Sequence, residues 1–171
     1  MPAGIRPTQN VLREAIFDLL GHDFSGLSFL ELFAGSGAVS LEAISRGAKE
    51  AVMVEHNDLN AKTIRENCEL LGIDLGGDFS LIHADAFKTV KLFSDEKKSF
   101  DIVFFDPPYA QKLAKKTLKL LSLRDILHAQ SLVCVQMESS EKLEISESFA
   151  VLTQRRYGSS YLTVLQKVAI Q

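Results

Sequence analysis

Strand-like and helix-like segments alternate along this chain, and their order constrains the fold more than any other feature of the sequence. Five apolar runs have the length of buried strands, and helical patterns with an apolar stripe follow several of them. These runs are residues 29–33, 51–55, 80–83, 101–105 and 132–137. A repeated strand, helix, strand order predicts an α/β fold, in which a mostly parallel sheet carries helices on both faces.

Two more runs with alternating hydrophobicity end the chain, at residues 151–157 and 161–167. Gly158, Ser159 and Ser160 stand between them, and these residue types favour a tight turn. We predict a hairpin that adds two antiparallel strands at one edge, which makes a sheet of seven strands.

Three helices can be placed from their capping and apolar residues. The first is predicted over residues 8–20, with Thr8 as its N-cap and Gly21 at its end. Its apolar stripe comprises Val11, Ala15, Ile16 and Leu19. The second helix is predicted over 38–46, and the third over 58–71, where it stops at Gly72. The buried residues of the third helix are expected to be Ala61, Ile64, Cys68 and Leu71.

The length and composition indicate one ordinary globular domain that spans residues 1–171. Hydrophobic residues make up 46% of the chain and charged residues 24%, which excludes a disordered chain. No apolar run approaches the roughly 18 residues that a membrane span needs, and the N-terminus lacks the pattern of a secretion signal. We therefore expect a cytoplasmic monomer without a membrane partner.

The cysteines and histidines do not suggest a metal site. Cys68 and Cys134 are far apart in the sequence and have apolar neighbours, so we expect two buried thiols in a reducing compartment. The four histidines lack the spacing of paired ligands. We predict no metal cofactor.

Acidic residues and a glycine turn stand where four of the predicted strands end. Glu31 leads into the turn with Gly35 and Gly37, and Glu55 ends the second strand 18 positions beyond Gly37. Asp85 and Asp106 follow the third and fourth strands. An acidic residue at a strand end is more often a helix cap than a ligand. Four of them beside a glycine turn predict a nucleoside site, because open α/β sheets bind ligands at the carboxyl ends of their strands.

The details of the glycine turn favour one nucleoside cofactor over another. A dinucleotide-binding turn usually has a third glycine or alanine three positions after its second glycine. In this chain that position, three after Gly37, is Ser40. Glu31 would repel a pyrophosphate, whereas it can attract the ammonium of a methionine. S-adenosylmethionine is therefore favoured over a nicotinamide or flavin cofactor.

The tetrapeptide at residues 106–109 indicates the type of reaction. An aromatic ring can stack on a planar group, and a carboxylate can accept hydrogen bonds from its amine. Two prolines stiffen the backbone between them. The segment comprises Asp106, Pro107, Pro108 and Tyr109. It suits methyl transfer to a planar nitrogen, and the alternative is a proline turn that merely ends a strand.

Four lysines follow this tetrapeptide at helical spacing, although the net charge of the chain is −3. They are Lys112, Lys115, Lys116 and Lys119, opposite Leu113, Leu120 and Leu121. We predict that this basic face contacts phosphate, so that charge reversal would weaken nucleic-acid binding and flatten its salt dependence. The alternative is the solvated face of an amphipathic helix.

Taken together, the motifs resemble those of the bacterial 16S ribosomal RNA guanine-N2 methyltransferase family, within the class I S-adenosylmethionine-dependent methyltransferases. The matching elements are residues 6–8, Arg13 with Glu14, 31–37, 41–48, Glu55, 106–109, and Tyr157 with Gly158. The glycine turn and residues 106–109 are shared by many amino methyltransferases, and the segments at 6–8 and 41–48 narrow the resemblance to this family. The resemblance implies a three-layer α/β/α, Rossmann-like fold and a substrate in 16S ribosomal RNA or the small ribosomal subunit.

The resemblance also implies a role for each motif residue. The methionine end of the cofactor would be held by Glu31, Phe33, Gly35 and Gly37. The ribose would be held by Glu55, and the adenine ring by Asp85 with Ala86. The target amine would meet Asp106 and the carbonyl of Pro107, beside Pro108, and Tyr109 would stack on the guanine. The RNA would contact Arg6, Thr8, Arg13, Lys112 and Lys116.

Two departures from the family pattern concern RNA recognition. Family members as a rule carry a basic β-hairpin before the first helix, and only five residues precede Arg6 here. The position after Asn10 is often basic in the family, and here it is Val11. A methyltransferase for DNA adenine N6 or for a protein glutamine therefore stays open, although the glutamine enzymes usually carry Asn at the position of Asp106. A non-catalytic cofactor-binding module also stays open, and a nicotinamide oxidoreductase is the least favoured hypothesis.

Overall fold

The computed structural model describes residues 7–108, 112–138 and 142–169, apart from the side chains of Pro7 and Thr8. The helices are α1 (Pro7–Leu20), α2 (Ala38–Ser45), α3 (Asp58–Leu70), α4 (Ala86–Asp95) and α5 (Leu113–Leu123). The strands are β1 (Ser28–Leu32), β2 (Glu50–Glu55), β3 (Phe79–His83), β4 (Phe100–Phe105), β5 (Leu127–Glu138), β6 (Phe149–Tyr157) and β7 (Ser160–Lys167).

The strands form one seven-stranded sheet in the order β3-β2-β1-β4-β5-β7-β6. The first five strands are parallel, and β7 and β6 pair antiparallel beyond β5. The predicted α/β fold with a C-terminal antiparallel hairpin is confirmed. Strand order reverses between β1 and β4, which is the point where open α/β sheets leave a crevice for ligands.

Helices cover both faces of the sheet, which makes three layers. One face, here called the α1 face, packs against α1 and α2 through residues such as Phe29, Ile102 and Cys134. Met53 on the same face packs against α3. The opposite face, the α4 face, packs against α4 and α5. Because successive side chains of a strand point to opposite faces, each residue of a strand can be assigned to one of these two layers.

Several helix ends follow from local chemistry. Proline is favoured at the first position of a helix because it has no N–H to satisfy there, and α1 begins at Pro7. Gly21, at φ 107°, ends α1 with a hydrogen bond of 2.9 Å from its N–H to the carbonyl of Phe17. Asn57 caps α3 through its side-chain oxygen. The predicted end of the third helix at Gly72 is also confirmed, because α3 stops at Leu70 and Gly72 is left-handed.

Some predicted details were wrong. Because α1 already begins at Pro7, Thr8 lies inside its first turn and is not its N-cap. Val11 is 53% exposed and Leu71 62% exposed, so neither belongs to the buried stripe of its helix. Leu12 takes the place of Val11 in the core. No helix was predicted between the third and fourth strands, where α4 lies.

Both cysteines are buried thiols, as predicted. Burial raises the pKa of Cys134 to about 12, which makes this thiol inert. Among the described helices, none is long and apolar enough to span a membrane.

Candidate active site

A cavity of about 910 Å³ opens on the α1 face at the carboxyl ends of β1, β4 and β5. Its floor includes Glu31 on β1 and Asp106 just after β4. The glycine turn after β1 forms one side, and α1 forms another through Asn10 and Arg13. The cavity therefore lies at the strand-order reversal, where the sequence predicted a ligand site.

Glu31 is the most unusual side chain of this cavity, because it is only 3% exposed in the middle of a buried strand. Its Oε2 accepts hydrogen bonds from the backbone N–H of Ser40, at 2.9 Å, and from the Ser40 hydroxyl. These bonds satisfy the first turn of α2, whose N-cap, Gly37, has no side chain to do so. Burial, with a smaller contribution from the negative charges of Asp106 and Glu55, raises the pKa of Glu31 to about 7, although the hydrogen bonds from Ser40 lower it.

The turn between β1 and α2 needs both of its glycines. Gly35 and Gly37 have φ values of 58° and 75°, which residues with a side chain rarely adopt. A Cβ on Gly37 would lie 3.0 Å from the Met53 sulfur and 3.2 Å from Cγ1 of Ile64, so this glycine lets α2 and α3 pack closely. A Cβ on Gly35 would meet nothing within 4 Å. The backbone at Gly35 thus faces open space, where a ligand can approach it closely.

A second cavity of about 390 Å³ adjoins the first at the carboxyl end of β2. Two acidic residues, Glu55 and Asp106, line it. Glu55 is buried, and its Oε2 accepts a hydrogen bond of 2.7 Å from the N–H of Gly35. Oε1 of Glu55 accepts from the N–H of Asn57 at 2.9 Å. Each carboxylate oxygen can accept more than one hydrogen bond, so Glu55 is fixed by the backbone and can still receive hydroxyl groups.

Three residues line both cavities, namely Phe33, Gly35 and Asp106. Phe33 has a φ of 55°, an uncommon value for a large side chain, and its ring packs edge-on against Phe87. Backbone strain of this kind clusters at functional sites. An elongated ligand that fills both cavities would have its middle beside Asp106.

Pro107 is buried and Pro108 is exposed, and both line the second cavity with Asp106. The charge of Asp106 acts on Glu31 across the first cavity. The predicted stacking residue, Tyr109, lies outside the described residues. The described part of the tetrapeptide therefore faces the shared part of the two cavities.

Comparison with known proteins identifies the family. The family model described as "Conserved hypothetical protein 95" matches residues 1–166. The chain belongs to this family. The resemblance inferred from the motifs is confirmed, since relatives that carry ribosomal RNA methyltransferase names match over most of the chain.

Two relatives illustrate how far the family likeness extends. Ribosomal RNA small subunit methyltransferase D of Buchnera aphidicola is 30% identical over 147 residues, which cover 86% of this chain and 74% of that protein. Putative rRNA methyltransferase YlbH of Bacillus subtilis is 27% identical over 163 residues, which cover 95% of this chain and 88% of that protein.

A solved structure of similar fold is putative methyltransferase yhhF from Escherichia coli, with 27% identity and a TM-score of 0.80. The match covers 98% of this chain and 90% of that one. The two proteins therefore share one fold over nearly the whole of both chains.

Several residues that the family resemblance implicated do not line either cavity. Asp85 lies at the same edge of the sheet, but it caps α4 by accepting from the N–H of Lys88, and Ala86 is buried in the core. Their predicted contact with the adenine ring therefore stays a prediction. Among the described residues, no group of histidine, cysteine and acidic side chains is arranged to hold a metal ion.

The residues predicted to contact RNA are scattered. Arg13 lines the first cavity and donates to Asn10 at 3.3 Å, whereas Arg6 and the Thr8 side chain lie outside the described residues. The prediction that Lys112 lies on a helix face was wrong, because it precedes α5 with a left-handed backbone. In α5, Lys115 forms an ion pair with Glu144, while Lys116 and Lys119 are exposed.

The far wall of the first cavity was not predicted from the sequence. It comprises Gln136 and Glu138 on β5, Tyr157 on β6, and Ser159 with Ser160 at the hairpin turn. The carboxyl end of β5 lies beside that of β4, so the strand order alone could have placed Gln136 and Glu138 near Asp106. No glycine turn or proline pair marks the end of β5, so the sequence carries no local signal for these residues.

Proposed function

We propose that this chain transfers a methyl group from S-adenosylmethionine to the N2 amine of a guanine in small-subunit ribosomal RNA. The coarser activity, S-adenosylmethionine-dependent methyl transfer to ribosomal RNA, follows from membership of the family and from the names of its relatives. The choice of guanine N2 rests on the motif resemblance and on the polar groups of the first cavity.

One observation carries the proposal, namely that Asp106 lies where the two cavities meet. In S-adenosylmethionine the sulfonium and its methyl group lie between the methionine and the ribose. Glu31 in the first cavity suits the methionine ammonium, and Glu55 in the second suits the ribose hydroxyls. If these residues hold the cofactor, its methyl group would lie beside Asp106.

The same arrangement suits an amine as the acceptor. An amine on an aromatic ring is a poor nucleophile because its lone pair is delocalised into the ring. Hydrogen-bond acceptors at Asp106 and at the Pro107 carbonyl would hold the amine hydrogens and turn the lone pair toward the methyl group. The bound cofactor supplies the electrophilic methyl group. After transfer the nitrogen gives up a proton, which Asp106 can accept and pass to water.

Alignment of the reacting atoms can supply several kcal/mol of the rate enhancement, so no covalent intermediate is needed. The target base must leave its stack to reach the floor of the first cavity, which costs a few kcal/mol in a duplex and less in a loop. Arg13 at the cavity and the exposed Lys116 and Lys119 on α5 are the cations available to the RNA backbone.

Methyl transfer from labelled S-adenosylmethionine to small ribosomal particles that lack the modification tests this proposal. We expect Asp106→Ala to lower the rate at least 100-fold, because the acceptor for the amine is lost. The affinity for S-adenosylhomocysteine should stay within about threefold of wild type, since other residues hold the cofactor.

Asp95→Ala is the matched control, because Asp95 is an exposed residue of the same type at the end of α4. It should transfer at the wild-type rate. Transfer by Asp106→Ala within a few-fold of wild type would rule out the role proposed for Asp106.

A further inference from the structure

We propose that Glu138 selects guanine as the target base by accepting a hydrogen bond from its N1–H, next to the amine that Asp106 holds. This inference rests on the proposed function and adds to it the residue that distinguishes guanine from the other bases that carry an amine.

The sheet register places Glu138 near Asp106 on the same face. In the parallel pair β4 and β5, Phe104 lies opposite Cys134 and Phe105 opposite Val135. Asp106, the residue just after β4, and Gln136 come next in this register, and both line the first cavity together with Phe104. Glu138 is two residues further along the same face of β5. Strand spacing and rise then put its Cα about 8 Å from that of Asp106.

The end of β5 is held in place by its other neighbour. Glu138 pairs with Ser160 on β7, and Ser160 pairs with Tyr157 on β6. All three residues line the first cavity together with Asp106 and Glu31. Glu138 therefore projects from a regular strand, and its side chain is half-buried at the cavity wall.

The edge of each base decides what a carboxylate next to the amine meets. In guanine the N2 amine adjoins N1–H, a donor, so a carboxylate there gains a second hydrogen bond. In adenine and cytosine the amine adjoins a ring nitrogen that carries a lone pair, which a carboxylate repels. The other polar side chains of this wall, Gln136, Tyr157 and Ser160, can each donate or accept, so they do not impose the same choice.

The test compares two substrates that carry the same amine. Small-subunit RNA is ligated from two fragments so that the mapped target is either guanine or 2-aminopurine, which keeps the N2 amine but has an unprotonated N1. For each enzyme, single-turnover methylation yields a ratio of the guanine rate to the 2-aminopurine rate. A hydrogen bond to a charged acceptor corresponds to roughly 10- to 100-fold in this ratio.

We expect Glu138→Gln to lower the ratio at least tenfold, because an amide can donate to the bare N1 as readily as it accepts from N1–H. Glu138→Ala should lower the ratio similarly and serves if the glutamine variant folds poorly. Glu69→Gln is the matched control, because Glu69 is exposed near the end of α3, and it should leave the ratio unchanged.

The possible results separate this inference from the proposed function. If wild type methylates guanine but both Glu138 variants keep its ratio, the inference is wrong and the proposed function stands. If these variants instead weaken binding of S-adenosylhomocysteine about tenfold at an unchanged ratio, Glu138 contacts the cofactor and the inference is again wrong. If wild type methylates neither RNA, the proposed function itself fails.

Discussion

Glu31 shows how a single residue can serve both the fold and the site. Its carboxylate satisfies the first turn of α2 through Ser40, and it also lines the cavity where a ligand ammonium would bind. Burial raises its pKa to about 7, so Glu31 is partly protonated at neutral pH when no cation lies beside it. A cation that binds beside it would draw out this proton, because an opposite charge favours the ionised form.

Cofactor affinity should therefore depend on pH through Glu31. Below a pKa of about 7 the proton must leave before the ammonium can pair with the carboxylate, so binding strengthens as the pH rises through this value. Calorimetry with S-adenosylhomocysteine should show affinity rising at least tenfold between pH 5.5 and 7.5. In Glu31→Gln the affinity should be lower at pH 7.5 and nearly independent of pH. The same pH dependence in wild type and variant would exclude this role.

The sequence predicted the site residues Glu31, Glu55 and Asp106 but not the far wall of the first cavity. Glu31 stands beside a glycine turn and Asp106 beside a proline pair, and Glu55 ends an apolar run 18 positions beyond Gly37, so all three could be assigned to strand ends from the sequence. Glu138 carries no such mark, because β5 continues to pair with β7 up to its last residue. Its place in the cavity depends on strand order, which is a property of the whole sheet.

At the scale of the elements, one carboxylate joins the adjacent strands β1, β4 and β5. It belongs to Asp101 of β4, at the amino end of the strand and opposite the cavity. Its Oδ2 accepts from the N–H of Ser28 on β1, at 2.7 Å, and from the hydroxyl of Ser28. Its Oδ1 lies 2.7 Å from Nε2 of His128 on β5. Burial works against ionisation, but the hydrogen bonds from Ser28 and His128 outweigh it and lower the pKa of Asp101.

Replacing Asp101 should therefore destabilise the fold in a pH-dependent way. A carboxylate with a lowered pKa contributes stability above its unfolded pKa, and this stability is lost as the pH falls through the folded value. We expect urea unfolding at pH 7 to show Asp101→Asn less stable by about 2 kcal/mol. The difference should shrink below about pH 4. Asp74→Asn, at an exposed position, should change the stability by less than about 0.5 kcal/mol.

A difference between Asp101→Asn and wild type that stayed constant down to pH 3 would show that the charge is not what joins these strands. The elements themselves were largely predictable, because each strand of the sheet centre contains a short apolar run. The buried residues of the helices were harder to predict. Which side of α1 is buried depends on how this helix is oriented over β5 and β7. This orientation brings Leu12 into the core and leaves Val11 exposed.

At the scale of the whole molecule, the residues that stabilise the sheet and the residues of the candidate site lie at opposite ends of the parallel strands. Asp101 joins the strands at their amino ends, whereas Glu31, Glu55 and Asp106 line the two cavities at their carboxyl ends. The hairpin of β6 and β7 contributes Tyr157 and Ser160 to the wall of the first cavity. The repeated strand and helix order predicted this separation in outline, since ligands bind beyond the carboxyl ends of parallel strands. It could not predict the two adjoining cavities, which depend on side-chain packing across six strands.

The central claim is that these cavities bring a guanine amine to Asp106 beside the methyl donor. Nucleoside mass spectrometry of small-subunit RNA tests it most directly, in cells that lack this protein and in the same cells that carry either wild type or Asp106→Ala. We predict that one N2-methylguanosine is absent from the deleted strain, returns with wild type, and does not return with Asp106→Ala. Loss of a methylated adenosine or cytidine instead, or full recovery with Asp106→Ala, would contradict it.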